Sequence, residues 1–511
     1  MSPPAGESPN PGGGAESGKG DAGFEIRTTE PRTGTSRPGI GTSGPGFGVL
    51  GRSPSSPSRL NRRPSPSTFR PMIGIIGAGI TGLTLSALLE ERGIPHVVLE
   101  ASSRPGGVIR STRMDGRILD HGPQRTRVTP ELSRLIKRVG LEEEIVEVSP
   151  DLPLFVCRDG RLRRVPFTAG GLLSTNLIST RGKLRALMEP VTRGWTDEET
   201  VGEFISRKFG REVYDNLMGP LFGGLYGSDP GRMYVRHSLA STMERMGISR
   251  SILWRFFRGS FNRAAAPAAI SFREGMEALP RAFHREVAHR VHLSTPTTEL
   301  RRAPDGVGWL VATEGGETFE VDRVVLTVPA ERAAELLRTE APEAAARLGL
   351  LRYNRLAVVH LEGPSGQLHG LGYQVAYGSR IRTRGVTWND SAMGRPGVFT
   401  AYLGGARDPG LLELDDGEIG DIARREFQEV TGLDTEPLNV SRMRIPSWDR
   451  SWTLLEGLAL PEGIYLCSNY ESRVGIPGRI TRASMMAREI ASLPTIRPKA
   501  QRERRTSGSA A

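Results

Sequence analysis

Apolar residues in this chain fall into short continuous runs and into stripes of helical period, and the alternation begins only at residue 72. Ile73 to Ile76 reads as a buried strand, Thr81 to Arg92 as a helix with Leu83, Leu85, Leu88 and Leu89 inward, and Val97 to Glu100 as a second strand. That order makes a βαβ unit. Helices are expected at Pro130 to Arg138 and Lys183 to Leu187, and Val201 to Phe261 is largely helical with few strand signals. The chain returns to strand and helix after Phe272, with a helix from Glu277 to Val287 and a strand from Val291 to Leu293. A hairpin of Trp309 to Thr313 and Thr318 to Val321 then turns at Gly315 and Gly316. Val324 to Val328 is a continuous apolar strand of the kind buried in a parallel sheet. A further excursion holds strands at Ala357 to Leu361 and Phe399 to Leu403 and a helix from Ile419 to Val430. Ile464 to Cys467 and a helix from Thr481 to Ile490 close the pattern. The whole predicts an α/β protein with inserted segments.

Composition changes this picture mainly at the ends. Residues 1–71 are rich in Gly, Pro and Ser, too poor in large apolar groups to offset the entropy of ordering, and are expected to be disordered. A translation start at Met72 would leave them out altogether. The net charge of +11 is concentrated in the same places: residues 1–71 carry nine basic against five acidic groups, and residues 497–511 five against one. Basic tails on a nearly balanced body suit weak attraction to an anionic surface such as a membrane face and argue against nucleic acid as a partner. Cys157 and Cys467 form no paired motif, which excludes a disulfide framework or cysteine-rich zinc site and fits a reducing, cytoplasmic setting. His284, His289 and His292 straddle a helix end with no carboxylate to complete a shell, so no metal is expected.

The chemistry lies in the first βαβ unit. Gly77-Ala78-Gly79-Ile80-Thr81-Gly82 follows a strand and opens a helix, and Glu100 ends the next strand. The first glycine allows a tight turn, the second lets the backbone approach a pyrophosphate, and the third permits close helix–strand packing. The helix N-terminus offers free amides to the anion, and Glu100 can accept from ribose hydroxyls.

The continuation, Glu100 to Gly107 with Arg104, Gly106, Gly107, Arg110 and Ser111, resembles the extended fingerprint of the two-dinucleotide-binding flavoproteins. That resemblance implies FAD rather than NAD, with the arginine and glycine pair against the flavin diphosphate. Asp120-His121-Gly122-Pro123 falls where the same group runs a backbone turn along the flavin.

Further stretches are similar to the protoporphyrinogen oxidase family within the flavin amine oxidase superfamily. They include Arg158-Asp159-Gly160-Arg161-Leu162, the run from Ser179 to Leu187, Phe209-Gly210-Arg211-Glu212-Val213-Tyr214, and Pro220 to Pro230. Leu403-Gly404-Gly405-Ala406-Arg407-Asp408-Pro409 and Val474-Gly475-Ile476-Pro477 follow in collinear order. The resemblance spans about residues 72–492. It implies FAD-dependent, oxygen-coupled aromatisation of a porphyrinogen in haem synthesis, on protoporphyrinogen IX, with coproporphyrinogen III as the alternative. An amine oxidase or desaturase of the same superfamily, or a flavin-binding relative without turnover, are the other readings. By position it adds Val108, Thr297, Val474, Gly475 and Ile476 to the flavin contacts and Gly227 to the substrate cavity, and it nominates no acid–base pair.

The chain departs from the family at Cys467-Ser468-Asn469, where relatives have Ala-Gly, and at Leu154, where many carry a basic residue for a substrate propionate. Arg125 and Arg127 are the candidates to supply that charge, or are plain loop arginines. The implied organisation is an FAD-binding Rossmann-like domain in three parts (72–125, 266–332 and 456–493). An α+β substrate domain falls in two parts (126–180 and 333–455), with a helical segment at 181–265 and a basic disordered tail at 494–511. Ser251 to Phe261 mixes Trp and Phe with Arg, as either a helix over the substrate cavity or a peripheral membrane contact would.

Overall fold

The computed structural model describes residues 72–494, apart from 246, 249, 258–266, 305 and 473–474, all within the unit Thr68–Ala511. The expected disorder of residues 1–71 and, past its first residue Pro494, of the tail 494–511, the Val474 contact and the end of the Ser251 to Phe261 stretch lie outside the described residues.

Three passes of the chain build one parallel sheet, in the order Val291–His292, His96–Leu99, Ile73–Ile76, Arg323–Leu326, Ile464–Leu466. Ile73–Ile76, His96–Leu99 and Arg323–Leu326 are buried along their whole length, which explains their runs of Ile, Val and Leu, and His96 and Arg323 at two strand starts are buried with them. The helix Ile80–Glu91 packs against Ala278–Val287 and the closing helix Ile476–Ser492, burying Leu83, Leu85, Leu88 and Leu89 with Phe283, Ile480 and Ala487. The expected α/β class with a Rossmann-like nucleotide layer is the observed one.

A second sheet has seven strands, in the order Glu436–Pro446, Tyr353–Glu362, Val398–Gly404, Gly385–Trp388, Gly372–Val375, Leu154–Arg158, Arg161–Arg164. Its residues alternate between two environments. Ala357, Val359, Leu361, Phe399, Ala401 and Leu403 pack under the helix Asp416–Thr431, against Ile419, Ala423 and Phe427. The other face carries His360, Thr400, Tyr402 and Thr387, and His360 Nε2 donates to the carbonyl of Asp120 at 3.0 Å. That face therefore lies against the nucleotide layer. Between residues 169 and 257 the described elements are helical, among them Val201–Phe209, capped by a reciprocal Thr200/Glu203 pair, and Gly219–Tyr226. No helix among the described residues is long and apolar enough to cross a membrane.

Candidate active site

The glycines of the first turn do three different jobs. Gly77 has φ +106°, a conformation that side chains rarely adopt, and its amide donates to Leu99 O at 2.8 Å. A Cβ on Gly82 would stand 2.0 Å from Gly77 O, so helix and turn touch backbone to backbone. Gly79 differs from both: its φ of −68° suits any residue, and a Cβ there would meet nothing within 4 Å. The space over Gly79 is open, at the N-terminus of a helix whose first internal bond is Leu83 N to Gly79 O. The amides of Ile80, Thr81 and Gly82 precede that bond and have no intrahelical acceptor. The side chains of Ile80 and Thr81 are buried inward, so only their backbone serves this space.

A second loop borders the opening. Gly106 N donates to Ala78 O at 2.8 Å, and Gly107 sits so close that its Cβ would be 3.3 Å from Gly79 Cα. Arg104 shapes this loop by donating to Gly107 O (2.6 Å) and Pro105 O (3.1 Å), and its guanidinium lies 3.7 Å from Glu277. Val108 is 62% exposed, an unusual position for a branched apolar residue beside a buried turn. The side chain of Arg110 is exposed next to it. Gly122 passes so near that its Cβ would be 2.3 Å from Val108 O, which brings the Asp120–Pro123 turn to the same opening.

Glu100 is buried and accepts from Ala78 N (2.6 Å), Ser102 N (2.9 Å) and Ser102 Oγ (2.7 Å). One lone-pair site on Oε2 is left for a further donor. The linker into Thr297–Arg302 runs alongside, with Ser294 N on Ser102 O and Thr295 N on Glu100 O. Thr297 is buried and its Oγ1 has no protein partner. Gln124, directly after the Asp120–Pro123 turn, is likewise buried, and both ends of its amide lack a protein partner. Two orphaned polar side chains and an open glycine cradle fit a dinucleotide whose hydroxyls and ring heteroatoms would complete them.

Asp120 and His121 are committed elsewhere by their side chains. Asp120, fully buried, accepts from Ser111 Oγ (2.5 Å), Met276 N (2.9 Å) and Arg395 Nη1 (2.5 Å), and Arg395 also donates to Ser271 Oγ (3.0 Å). This buried pair ties the turn to the seven-stranded sheet. His121 bridges Thr112 Oγ1 (2.7 Å) and Ser441 Oγ (2.6 Å). Burial lowers its pKa, and burial together with the neighbouring His121 lowers that of His360 to about 4. What this turn presents to the opening is backbone, at Gly122 and Pro123.

The closing turn is fastened to the same place. Thr327 Oγ1 lies 2.9 and 2.8 Å from the carbonyls of Ile76 and Gly77, and Ser468 Oγ donates to Val328 O at 2.6 Å. Tyr353 Oη donates to Asn469 Oδ1 (3.1 Å) and Arg479 to Asn469 O (2.8 Å). The polar residues at the altered Cys467-Ser468-Asn469 turn are thus held by hydrogen bonds, and Cys467 is fully buried, its thiol pushed up to about 12 by burial. Gly475, with φ +89°, caps the helix Ile476–Ser492, and Ile476 is buried beneath it.

The substrate candidates are scattered. Arg125 is exposed, near enough to Tyr402 to act on its ionisation, which burial raises to about 12. Arg127 donates to Pro267 O (2.8 Å) on the surface. Gly227, with φ +55°, ends the helix Gly219–Tyr226, where a Cβ would strike Leu356 and Ile445. Leu154 is half-buried in its strand, paired with Gly372. The histidines do not converge: His289 faces Glu90 and His292 packs its ring on Phe319. Sequence reasoning missed Gln124, Thr327, Tyr353 and Arg395. Only Gln124 carried a local signal, as the residue after the Asp120–Pro123 turn.

A parallel sheet with a glycine cradle, an acidic strand end and a second sheet laid over the turn defines an FAD-dependent oxidoreductase. The model of the flavin containing amine oxidoreductase family matches residues 80–462, and the chain belongs to that family. It is 25% identical to a chloroplastic protoporphyrinogen oxidase of Nicotiana tabacum, covering 81% of this chain and 84% of the relative. It is 27% identical to the coproporphyrinogen III oxidase of Bacillus subtilis (strain 168), covering 79% and 94%. A solved structure from Exiguobacterium sp. 255-15, provisionally named a protoporphyrinogen oxidase, superposes with a TM-score of 0.68 at 21% identity, over 82% of this chain and 98% of that one. FAD is the cofactor this family membership assigns.

Proposed function

We propose that the chain oxidises protoporphyrinogen IX to protoporphyrin IX in haem synthesis, with molecular oxygen as acceptor and three equivalents of hydrogen peroxide released. Bound FAD supplies hydride acceptance and reoxidation by oxygen. The observation that carries the reading is the seven-stranded sheet set against the flavin turn: His360 holds Asp120 O, and Tyr402 stands beside Arg125. A flat macrocycle laid on that face would meet the flavin-side loop with no acid–base pair required.

In this reading Gly77 to Gly82 and Gly106 to Val108 cradle the diphosphate, aided by Arg104 and Arg110, and Glu100 takes a ribose hydroxyl. Asp120 to Pro123, with Gln124, run along the flavin, joined by Thr297 and by Val474 to Ile476. Positioning is then the protein's main contribution, since holding a reactant in line removes much of the entropic barrier. The relatives' names support porphyrinogen as the substrate class.

Leu173, Leu184, Leu187, Met188, Val191 and Trp254, each between 45% and 66% exposed, support a peripheral contact of the helical segment with a membrane. Coproporphyrinogen III is the second reading, favoured by Arg384 and Arg407, which have no carboxylate partner among the described residues. The test is to add each porphyrinogen in air to purified yellow protein and follow porphyrin fluorescence. Protoporphyrinogen IX should give the higher kcat/KM, a reversed ranking would establish the second reading, and turnover of neither refutes both.

A further inference from the structure

Arg384 and Arg407 meet at one end of the seven-stranded sheet, in a recess also lined by Gly223, Gly224, Gly227 and Tyr377. The sheet fixes Arg384 from both sides: its amide donates to Tyr402 O (2.7 Å) and its carbonyl accepts from Val375 N (3.0 Å). Arg384 Nε donates to Gly404 O at 3.1 Å. The guanidinium carbon of Arg407 lies 3.4 Å from the ring centroid of Tyr377. Among the described residues, neither arginine has a carboxylate within ion-pairing distance.

The acids nearby are engaged. Asp408 is paired with Arg382 at 2.8 Å, and Asp229 caps the amide of Gly231 at 3.0 Å. Arg384 is half-buried and Arg407 exposed at the mouth of the recess, and burial together with repulsion by the charge of Arg407 pushes Arg384 below the ordinary guanidinium range. An anion placed between them would relieve that repulsion.

The recess is small, about 20 Å³ inside, room for one carboxylate oxygen but not for the whole arm. It adjoins a cleft of about 550 Å³ that shares Ala406 and Arg407. Glycine keeps the pocket open, since a Cβ on Gly223 would come 2.6 Å from Tyr377 Oη and one on Gly224 1.8 Å from Gln374 Oε1. A forked planar donor pair suits a carboxylate's two oxygens.

We propose that Arg384 and Arg407 together bind a carboxylate arm of the tetrapyrrole, an assignment that rests on the porphyrinogen reading and locates one anchoring point of that substrate. The test titrates the full chain, FAD-loaded, with coproporphyrin III and with its tetramethyl ester, in the same detergent, by quenching of tryptophan fluorescence. Arg384→Met and Arg407→Met are each expected to weaken the free acid at least about tenfold and leave the ester unchanged. Arg384→Lys, which keeps the charge without the fork, should fall between. Loss of both ligands alike, or of neither, overturns the assignment, and melting temperatures of the variants identify a folding defect. Turnover of protoporphyrinogen is measured on the same samples. Arginine-dependent binding of the acid with turnover of neither protoporphyrinogen nor coproporphyrinogen, the latter assayed alongside, refutes the oxidase reading alone, turnover with unaltered variants refutes the arginine pair alone, and a parent protein that binds no porphyrin refutes both.

Discussion

Gly79→Val separates the cofactor from the fold. The Cβ at this position meets no protein atom within 4 Å and the backbone is already in an extended conformation, so the branch point enters without clash or backbone strain. Gly79 is the N-cap of Ile80–Glu91, and an apolar branched cap is poorer than glycine by about 1 kcal/mol. For a chain of this size that lowers the melting temperature of the apoprotein by only about 2 °C. In the proposed site the same side chain would occupy the open space above the helix amides, where the diphosphate is expected. Losing that approach should weaken FAD by on the order of 3 kcal/mol or more, about a hundredfold. The assay pairs thermal unfolding of apoprotein with FAD titration by flavin fluorescence. Gly82→Ala is the contrast: its Cβ would overlap Gly77 O, so the apoprotein itself should be destabilised by several degrees. Parent-like FAD affinity in a folded Gly79→Val protein would refute the cradle.

Other consequences follow from the buried polar groups. Arg395→Ala strands the Asp120 carboxylate and should cost about 3–5 kcal/mol in urea unfolding, against under about 1 for the exposed Arg380. His360, with its pKa lowered to about 4, stays neutral in the fold while the unfolded chain protonates near 6.5. Its contribution is present above about pH 6.5 and is lost as pH falls toward 4, removing about 2 kcal/mol between pH 7 and 5. His360→Gln should flatten that part of the stability profile. Gln124→Ala breaks no protein hydrogen bond but empties a buried position, so apoprotein stability should change by about 1 kcal/mol or less, while FAD binding weakens measurably. Replacing Leu184, Leu187 and Trp254 with serine should reduce sedimentation with anionic vesicles, and unchanged sedimentation would remove the membrane proposal.

Much of the fold was legible because period and punctuation agreed. Pro130–Arg138 and the hairpin Trp309–Thr313 with Thr318–Val321 have the expected bounds, set by a Thr-Pro start and a Gly-Gly turn. The closing helix begins at Ile476, earlier than expected, because Pro477 falls in its first turn, where proline is tolerated, and reads as a breaker only further in. Glu436–Pro446 was missed. It pairs only with Tyr353–Glu362, and an edge strand accepts Pro437 and Pro446 and a polar sequence that a central strand would not. In the site, glycine spacing and Glu100 were readable, since their geometry is local. The Asp120–Arg395 pair joins residues 275 positions apart, and the Arg384–Arg407 recess closes only when sheet and helix meet, so neither leaves a local trace.

The central claim, hydride transfer from a porphyrinogen to FAD held on this cradle, is tested most directly without oxygen. Protoporphyrinogen IX added anaerobically to the flavin-loaded protein should bleach the yellow band of the bound flavin as porphyrin appears, and air should restore it. A flavin that dithionite reduces but protoporphyrinogen and coproporphyrinogen leave oxidised would contradict the account.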